Sequence, residues 1–131
     1  MSLRRLHLIV GVLALIAFVL SGQYMDRLYD HLRGMADGPR MMYRTAHIYI
    51  LWSGLLNLVT GAYLKRIADG LARHAQTLAS AFLLVGPALL CISFLTESTS
   101  VELVRPAARL AIYGALAGGL LHAWIGHRLE R

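Results

Sequence analysis

The sequence predicts an all-α integral membrane protein, namely a four-helix transmembrane bundle with a short interfacial amphipathic helix between helices 1 and 2. Of its 131 residues, 57% are hydrophobic and only 15% are charged, and the mean hydropathy is +0.57. A soluble domain usually carries about 25% charged residues. Four apolar runs, each able to cross a bilayer as a helix, alternate with short polar segments. We expect one domain over residues 1–131.

The predicted spans are residues 6–22, 41–64, 77–96 and 106–125. The first follows two arginines, as a signal peptide does, but it contains no A-x-A cleavage site, which favours a retained span. Between the first two spans, residues 23–38 place Leu28, Leu32 and Met35 at helical spacing. This pattern predicts the interfacial helix, with a structured connecting loop as the alternative.

The third predicted span contains a glycine followed by a proline. Gly86 and Pro87 lie at its centre, where proline removes one backbone hydrogen bond and is expected to bend the helix. Membrane helices tolerate such a proline when neighbouring helices satisfy the carbonyl that it frees. We therefore expect an architectural role for this pair, with a gating hinge as the alternative.

Charge and cysteine usage restrict the partners. The formal net charge is +6, from 13 Lys and Arg against 7 Asp and Glu. The basic residues lie at the ends of apolar runs, which predicts anchoring to lipid headgroups and no nucleic-acid partner. The only cysteine, Cys91, excludes an intramolecular disulfide and a cysteine-rich metal site. Four spans put both termini on one side, which we expect to be the cytoplasmic side of a bacterial inner membrane.

Polar side chains are predicted at two depths, and all four helices contribute to the outer one. Arg109 lies about one turn inside its span, on the same helical face as Arg105. It is positioned either to pair with Glu97 or to bind an anionic ligand such as a phospholipid headgroup or a carboxylate. The alternative is snorkelling arginines with a stabilising Arg–Glu pair. The predicted ligand-binding residues are Gln23, Tyr24, Arg44, His47, Glu97, Arg109 and Tyr113.

At the inner depth the sequence places His7, Asn57 and His122. Two facing histidines on two membrane helices are the arrangement that binds a b-type haem, so His7 and His122 are the candidate cofactor-binding residues. The small residues of the fourth span could lie against a flat macrocycle. The alternative is that they pack helices together, by themselves or against a second copy or a larger membrane complex. No zinc site is expected, because no third ligand shares this depth. His47 has methionines nearby in sequence, a combination that can bind copper, but methionine is also a common apolar filler, and we expect no metal site.

Catalytic motifs are absent from the sequence: it contains no G-x-x-x-x-G-K-[ST], G-x-S-x-G or H-E-x-x-H. The motifs of small fluoride channels, small multidrug exporters and membrane glutathione-type enzymes are also missing. We therefore predict a non-enzymatic membrane protein that binds a lipid, a small amphipathic ligand or a partner membrane protein through the outer polar cluster. The alternative is an electron-transfer protein that holds haem b, or contacts quinone, between His7 and His122.

Overall fold

A computed structural model describes residues 1–67, 70–100 and 103–129 of the chain. These residues form four long α-helices and no β-strand. The helices are α1 (Leu3–Tyr29), α2 (Asp37–Tyr63), α3 (Gly70–Ile92) and α4 (Pro106–Leu129). A short 3-10 turn (Asp30–Leu32) follows α1, and a π-helical turn (Ser93–Glu97) extends α3. The all-helical fold class predicted from the sequence is confirmed.

Three helical segments are long and apolar enough to cross a membrane: Leu3–Leu32, Gly70–Glu97 and Pro106–His127. Their outward surfaces are apolar. On α1, for example, Val12, Ile16 and Val19 expose 50%, 50% and 54% of their surface. A continuous apolar surface of this kind is the mark of a protein whose surroundings are hydrocarbon. The chain is thus an integral membrane protein with at least three candidate spans.

The prediction of a separate interfacial helix over residues 23–38 is wrong. Helix α1 continues unbroken to Tyr29, because Tyr24, Met25 and Tyr29 pack against the same core as the residues before them. The chain then reverses through Asp30, His31 and Leu32, which have φ of 45°, 58° and 65°. This left-handed conformation strains residues that carry a Cβ. Burial of the Leu32 side chain in the core offsets that strain.

Two antiparallel helix pairs make up the bundle. Along the first pair, the side chain of Arg4 on α1 donates a hydrogen bond to the carbonyl of Gly61 on α2 (2.9 Å). A Cβ added at Gly11 would lie 2.9 Å from the backbone nitrogen of Leu58, so only glycine permits this approach. In the second pair, a Cβ at Gly118 of α4 would lie 2.7 Å from the carbonyl oxygen of Ala79 on α3.

The two ends of the bundle differ in which end of α1 they contain. The near end is where α1 begins and holds His7, and the far end is where α1 finishes and holds Tyr29. A core cluster joins the two helix pairs toward the far end. Its fully buried members are Leu32, Tyr43, Ala46, Ile50, Leu90, Phe94, Ala108 and Ala111.

Candidate functional site

A proline inside α3 creates the first polar feature of the bundle interior. Pro87 has no N–H, so the carbonyl of Leu83, four residues earlier, has no donor within its own helix. The side-chain amide of Asn57, on α2, donates a hydrogen bond to this carbonyl (2.8 Å). Its second N–H goes to the carbonyl of Ser53 (2.9 Å). A neighbouring helix thus satisfies the acceptor that the proline frees, as membrane helices require.

The same amide determines the state of His7. Both bonds from the Asn57 nitrogen end on carbonyl oxygens, which only accept, so the amide oxygen must face His7 Nδ1 at 2.7 Å. His7 Nδ1 therefore donates the hydrogen bond. The ring is fully buried and has no acidic partner among the described residues, so it is neutral, because an unpaired charge there would be costly. A neutral imidazole carries one N–H, which leaves a lone pair on Nε2.

His122, on α4, completes this group at the near end. Its ring lies edge-on to that of His7, with centroids 6.3 Å apart and ring planes at 76°. The Nε2 atom of His122 lies 3.1 Å from the hydroxyl of Ser80, on α3. Nε2 of His7 is buried and has no hydrogen-bond partner among the described residues. All four helices therefore contribute to one polar node, and one acceptor in it is unsatisfied.

A porphyrin does not fit between these two histidines as they stand. The ring of His7 is 0% exposed, so it borders no slot along which a macrocycle could approach. The small face of α4 is also occupied, since Gly114 and Gly118 pack against Phe82 and Ala79 of α3. Gly114 and Gly118 thus serve helix packing within the chain, whereas a Cβ at Gly119 would meet no other helix within 4 Å. Haem b at His7 and His122 would require the helices to separate.

Glu97 organises the far end in a way that the sequence did not reveal. Its carboxylate is buried and accepts hydrogen bonds from the backbone N–H groups of Ala107 (2.6 Å) and Ala108 (3.3 Å). A carboxylate at a helix N-terminus is favoured by the unpaired N–H groups and by the helix dipole. The predicted pair between Glu97 and Arg109 does not form, because both carboxylate oxygens bind α4 and Arg109 is exposed.

Arg105, immediately before α4, is the arginine that turns inward. One terminal nitrogen (Nη1) donates to the hydroxyl of Thr45 on α2 (2.6 Å). The other edge of the guanidinium, formed by Nε and Nη2, is buried and has no acceptor among the described residues. Burial lowers the pKa of Arg105 and the nearby Glu97 carboxylate opposes that shift, so the group stays charged. The far end therefore holds a fixed, charged guanidinium whose two N–H donors on Nε and Nη2 have no acceptor among the described residues. We call this pair of donors the fork of Arg105.

The other predicted ligand-binding residues do not converge on one point. His47 donates from Nδ1 to the hydroxyl of Ser21 (2.8 Å), whose own proton goes to the carbonyl of Phe18. Its ring stacks on Phe18 with centroids 4.1 Å apart, so nothing here supports copper at His47. Tyr24 belongs to an aromatic cluster with Tyr29, Tyr43 and Phe94. The remaining predicted members are exposed, namely Gln23, Arg44, Arg109 and Tyr113.

No known protein family, curated protein or solved structure matches this chain. What the two polar nodes can do is therefore argued from their chemistry alone. One signal for the near-end site is present in the sequence, because a proline in a membrane helix requires a polar neighbour for the carbonyl four residues earlier. No such signal exists for the contacts of Ser80 or Thr45, since hydroxyls in membrane helices commonly bond their own backbone.

Replacing Asn57 with Ala should destabilise the bundle mainly through Pro87. The substitution leaves the Leu83 carbonyl and the His7 N–H buried without partners, at about 1–3 kcal/mol for each group. In a Pro87→Ala background the new N–H of residue 87 satisfies Leu83, so the cost of Asn57→Ala should fall by about 0.5–3 kcal/mol. The measurement is the free energy of unfolding of all four variants in detergent. Equal costs in both backgrounds would contradict the assignment.

Proposed function

We propose that this chain is a non-enzymatic protein of a bacterial inner membrane that crosses the bilayer four times. At the far end of the bundle, it binds an anionic amphiphile such as a phospholipid through the phosphate or carboxylate head. The observation that carries the proposal is the fork of Arg105, whose Nε and Nη2 have no acceptor within residues 1–67, 70–100 and 103–129. The course of α2 supports the fourth membrane crossing, and the charge around Arg105 supports the anionic ligand.

A membrane crossing by α2 is supported by its pairing with α1, which is itself a candidate span. The two helices stay in contact from the Arg4–Gly61 bond at the near end to the Tyr43–Tyr29 contact (3.4 Å) at the far end. Residues 45–64 contain no Asp, Glu, Lys or Arg. At about 1.5 Å per residue these 20 residues extend for about 30 Å, the thickness of the hydrocarbon core.

The polar residues of α2 explain why its composition is less apolar than that of its neighbours. Ser53 and Asn57 face inward and are hydrogen-bonded. The outward stripe of α2 is apolar and consists of Ile48, Trp52, Leu55 and Val59. A helix that hides its few polar groups in the bundle and exposes apolar ones is suited to lipid surroundings.

The donors of Arg105 suit a carboxylate or a phosphate. A guanidinium presents two parallel N–H groups along its Nε–Nη2 edge, which match two oxygens of such an anion. Because Thr45 anchors the opposite edge, the plane of the group is fixed before any ligand arrives. A buried donor without an acceptor is costly, and an oxygen from outside the chain would remove that cost.

Depth and charge at the far end point to a lipid headgroup. Arg105 lies between the Gly70–Glu97 and Pro106–His127 spans, where headgroups are found. Exposed Arg44, next to Thr45, and exposed Arg109, one turn along α4, add positive charge. The oxygens of Glu97 are engaged by α4 and do not compete for the fork. Taken by themselves, Arg44, Arg105, Arg109 and Glu97 carry a net positive charge, which attracts anionic lipids.

An apolar groove in the far half of the bundle offers a place for a hydrocarbon chain. It has a volume of about 210 Å³ and is lined by residues of α1, α2 and α3 together with the π-turn. Its lining is Ala17, Leu20, Ser21, Tyr24, Ile50, Cys91, Phe94 and Leu95. A polar head site and an apolar groove in one half of the molecule are what an amphipathic ligand requires.

The fourth crossing can be tested with single cysteines in a Cys91→Ala background. Arg33→Cys lies before α2, Leu55→Cys lies in its middle, and Arg66→Cys lies after it. A membrane-impermeant maleimide applied to spheroplasts should label Arg33→Cys, should label Arg66→Cys only after permeabilisation, and should not label Leu55→Cys. Labelling of Arg33→Cys and Arg66→Cys from the same side would show that α2 does not cross.

Headgroup binding predicts a specific loss in Arg105→Gln. A charge-assisted bond contributes about 1.5–3 kcal/mol, so affinity for phosphatidylglycerol should fall about tenfold or more. The measurement is native mass spectrometry of the protein with phosphatidylglycerol and with phosphatidylcholine. Inorganic phosphate, tested in parallel as a competitor, distinguishes recognition of a free anion from recognition of a lipid.

The matched control is Arg27→Gln, which removes an exposed arginine from the last turn of α1 at the same end of the bundle. It should keep most of the binding, since it removes charge but no buried fork. Unchanged phosphatidylglycerol binding by Arg105→Gln, or an equal loss in Arg27→Gln, would refute the assigned site.

A further inference from the structure

The lone pair on Nε2 of His7 is an unsatisfied group at the near end, far from the proposed lipid site. The side chain is 0% exposed, and this nitrogen has no hydrogen-bond partner among the described residues. A buried acceptor left without a partner is costly in an apolar interior. Because Asn57 fixes the tautomer, the ring cannot remove the cost by moving its proton to Nε2.

The facing ring of His122 is also in hydrogen-bond contact with a polar neighbour through one of its nitrogens. One nitrogen of each histidine is held by a polar neighbour: Nδ1 of His7 by Asn57, and Nε2 of His122 by Ser80. Nε2 of His7 keeps its lone pair, and Nδ1 of His122 keeps one when Nε2–H of His122 donates to Ser80. Metal-bound histidines typically have this arrangement, in which the nitrogen that is not bound to metal is hydrogen-bonded to a second group that sets its tautomer and orientation.

The distance between the two ring centroids is close to the distance expected for two imidazoles that bind one ion in line. Bonds from histidine nitrogen to a metal are about 2.0–2.1 Å long, so two in line take up about 4 Å. The ring centroids are 6.3 Å apart, and the remaining distance is what two imidazoles need between centre and nitrogen. A single ion does not need the open slot between helices that a porphyrin would need.

The number and charge of the ligands select the metal. Among the described residues no group of three or more His, Cys, Asp or Glu could hold an ion together, so a four-ligand zinc site is not available here. A divalent ion would bring two uncompensated charges into an apolar bundle. Monovalent copper accepts two nitrogen donors in line, and imidazole is a good copper ligand. We propose that His7 and His122 bind one monovalent copper ion.

A cavity at the near end gives access to one of the two histidines. A cavity of about 470 Å³ reaches His122 between the C-terminal ends of α2 and α4. Its lining includes the polar side chains of Thr60, Tyr63, Lys65 and Gln76. A binding site needs such an entry path as well as ligands and second-shell partners. The structure therefore supplies an approach to His122, together with the two candidate ligands and their second-shell partners.

The test is copper retention by the full-length protein in detergent under anaerobic, reducing conditions. Cu(I) is added with a chromogenic Cu(I) chelator as competitor, and copper per chain is measured by mass spectrometry. Wild type should retain about one ion per chain. His7→Ala and His122→Ala should each lose it, and the matched control His127→Ala, which removes an exposed histidine from the same helix as His122, should retain it.

Two further measurements keep the outcome decisive if an alanine variant folds poorly. X-ray absorption of the wild-type complex should show two nitrogen neighbours and no sulfur. Ser80→Ala should keep the stoichiometry but weaken affinity about 10–100-fold, because it removes a second-shell partner. Failure of the wild type to hold copper against the chelator would overturn the proposal. Sulfur coordination by methionine or Cys91, or equal retention by His7→Ala and His122→Ala, would do so as well. Each outcome is independent of Arg105 and of lipid binding.

Discussion

The near half of the bundle depends on a backbone carbonyl that has lost its helical donor. Pro87 deprives Leu83 of its hydrogen bond, and in hydrocarbon no water can replace it. The side-chain amide of Asn57, on α2, donates the missing hydrogen bond to Leu83. The oxygen of the same amide then faces His7 on α1. Three helices are thereby held in one relative register, and the orientation of the His7 ring toward α4 is fixed as a consequence.

The two ends of the molecule accommodate their buried polar groups differently. At the near end the buried groups are neutral, and among the described residues Nε2 of His7 is the buried nitrogen left there without a hydrogen-bond partner. At the far end the groups are charged: Glu97 binds the first N–H groups of α4, and Arg105 is held by Thr45. Among the described residues, the buried groups without a partner include an acceptor of His7 at the near end and two guanidinium donors of Arg105 at the far end. This chemical contrast is why the two ends are assigned different ligands, a cation and an anion.

Much of the fold could be predicted from the sequence, because apolar runs and terminal charges report directly on helices in lipid. The four helices, the polar depths, and the need for a neighbour at Pro87 all follow from residue spacing. The interfacial helix was predicted wrongly because residues 23–29 also have helical spacing, and only the tertiary contacts of Tyr24 and Tyr29 show that α1 continues.

The partners at each site were much harder to predict. Spacing places Arg105 and Arg109 on one face of α4, but it does not give the rotation of that helix against its neighbours. Packing turns Arg105 inward and leaves Arg109 exposed. Likewise, the carboxylate of Glu97 has an arginine nearby, yet the unpaired N–H groups at the start of α4 take both its oxygens. A backbone partner of this kind has no side-chain signature in the sequence.

The most direct measurement of the central interaction is the protonation of His7 in the metal-free protein, reconstituted in lipid. Nitrogen-15 solid-state NMR distinguishes a protonated from an unprotonated ring nitrogen, and the His7→Gln variant assigns the signals. The hydrogen bond to Asn57 requires a proton on Nδ1 and a bare Nε2. A proton found on Nε2 with Nδ1 bare, or a ring protonated at both nitrogens, would contradict the account of how Asn57 joins the helices.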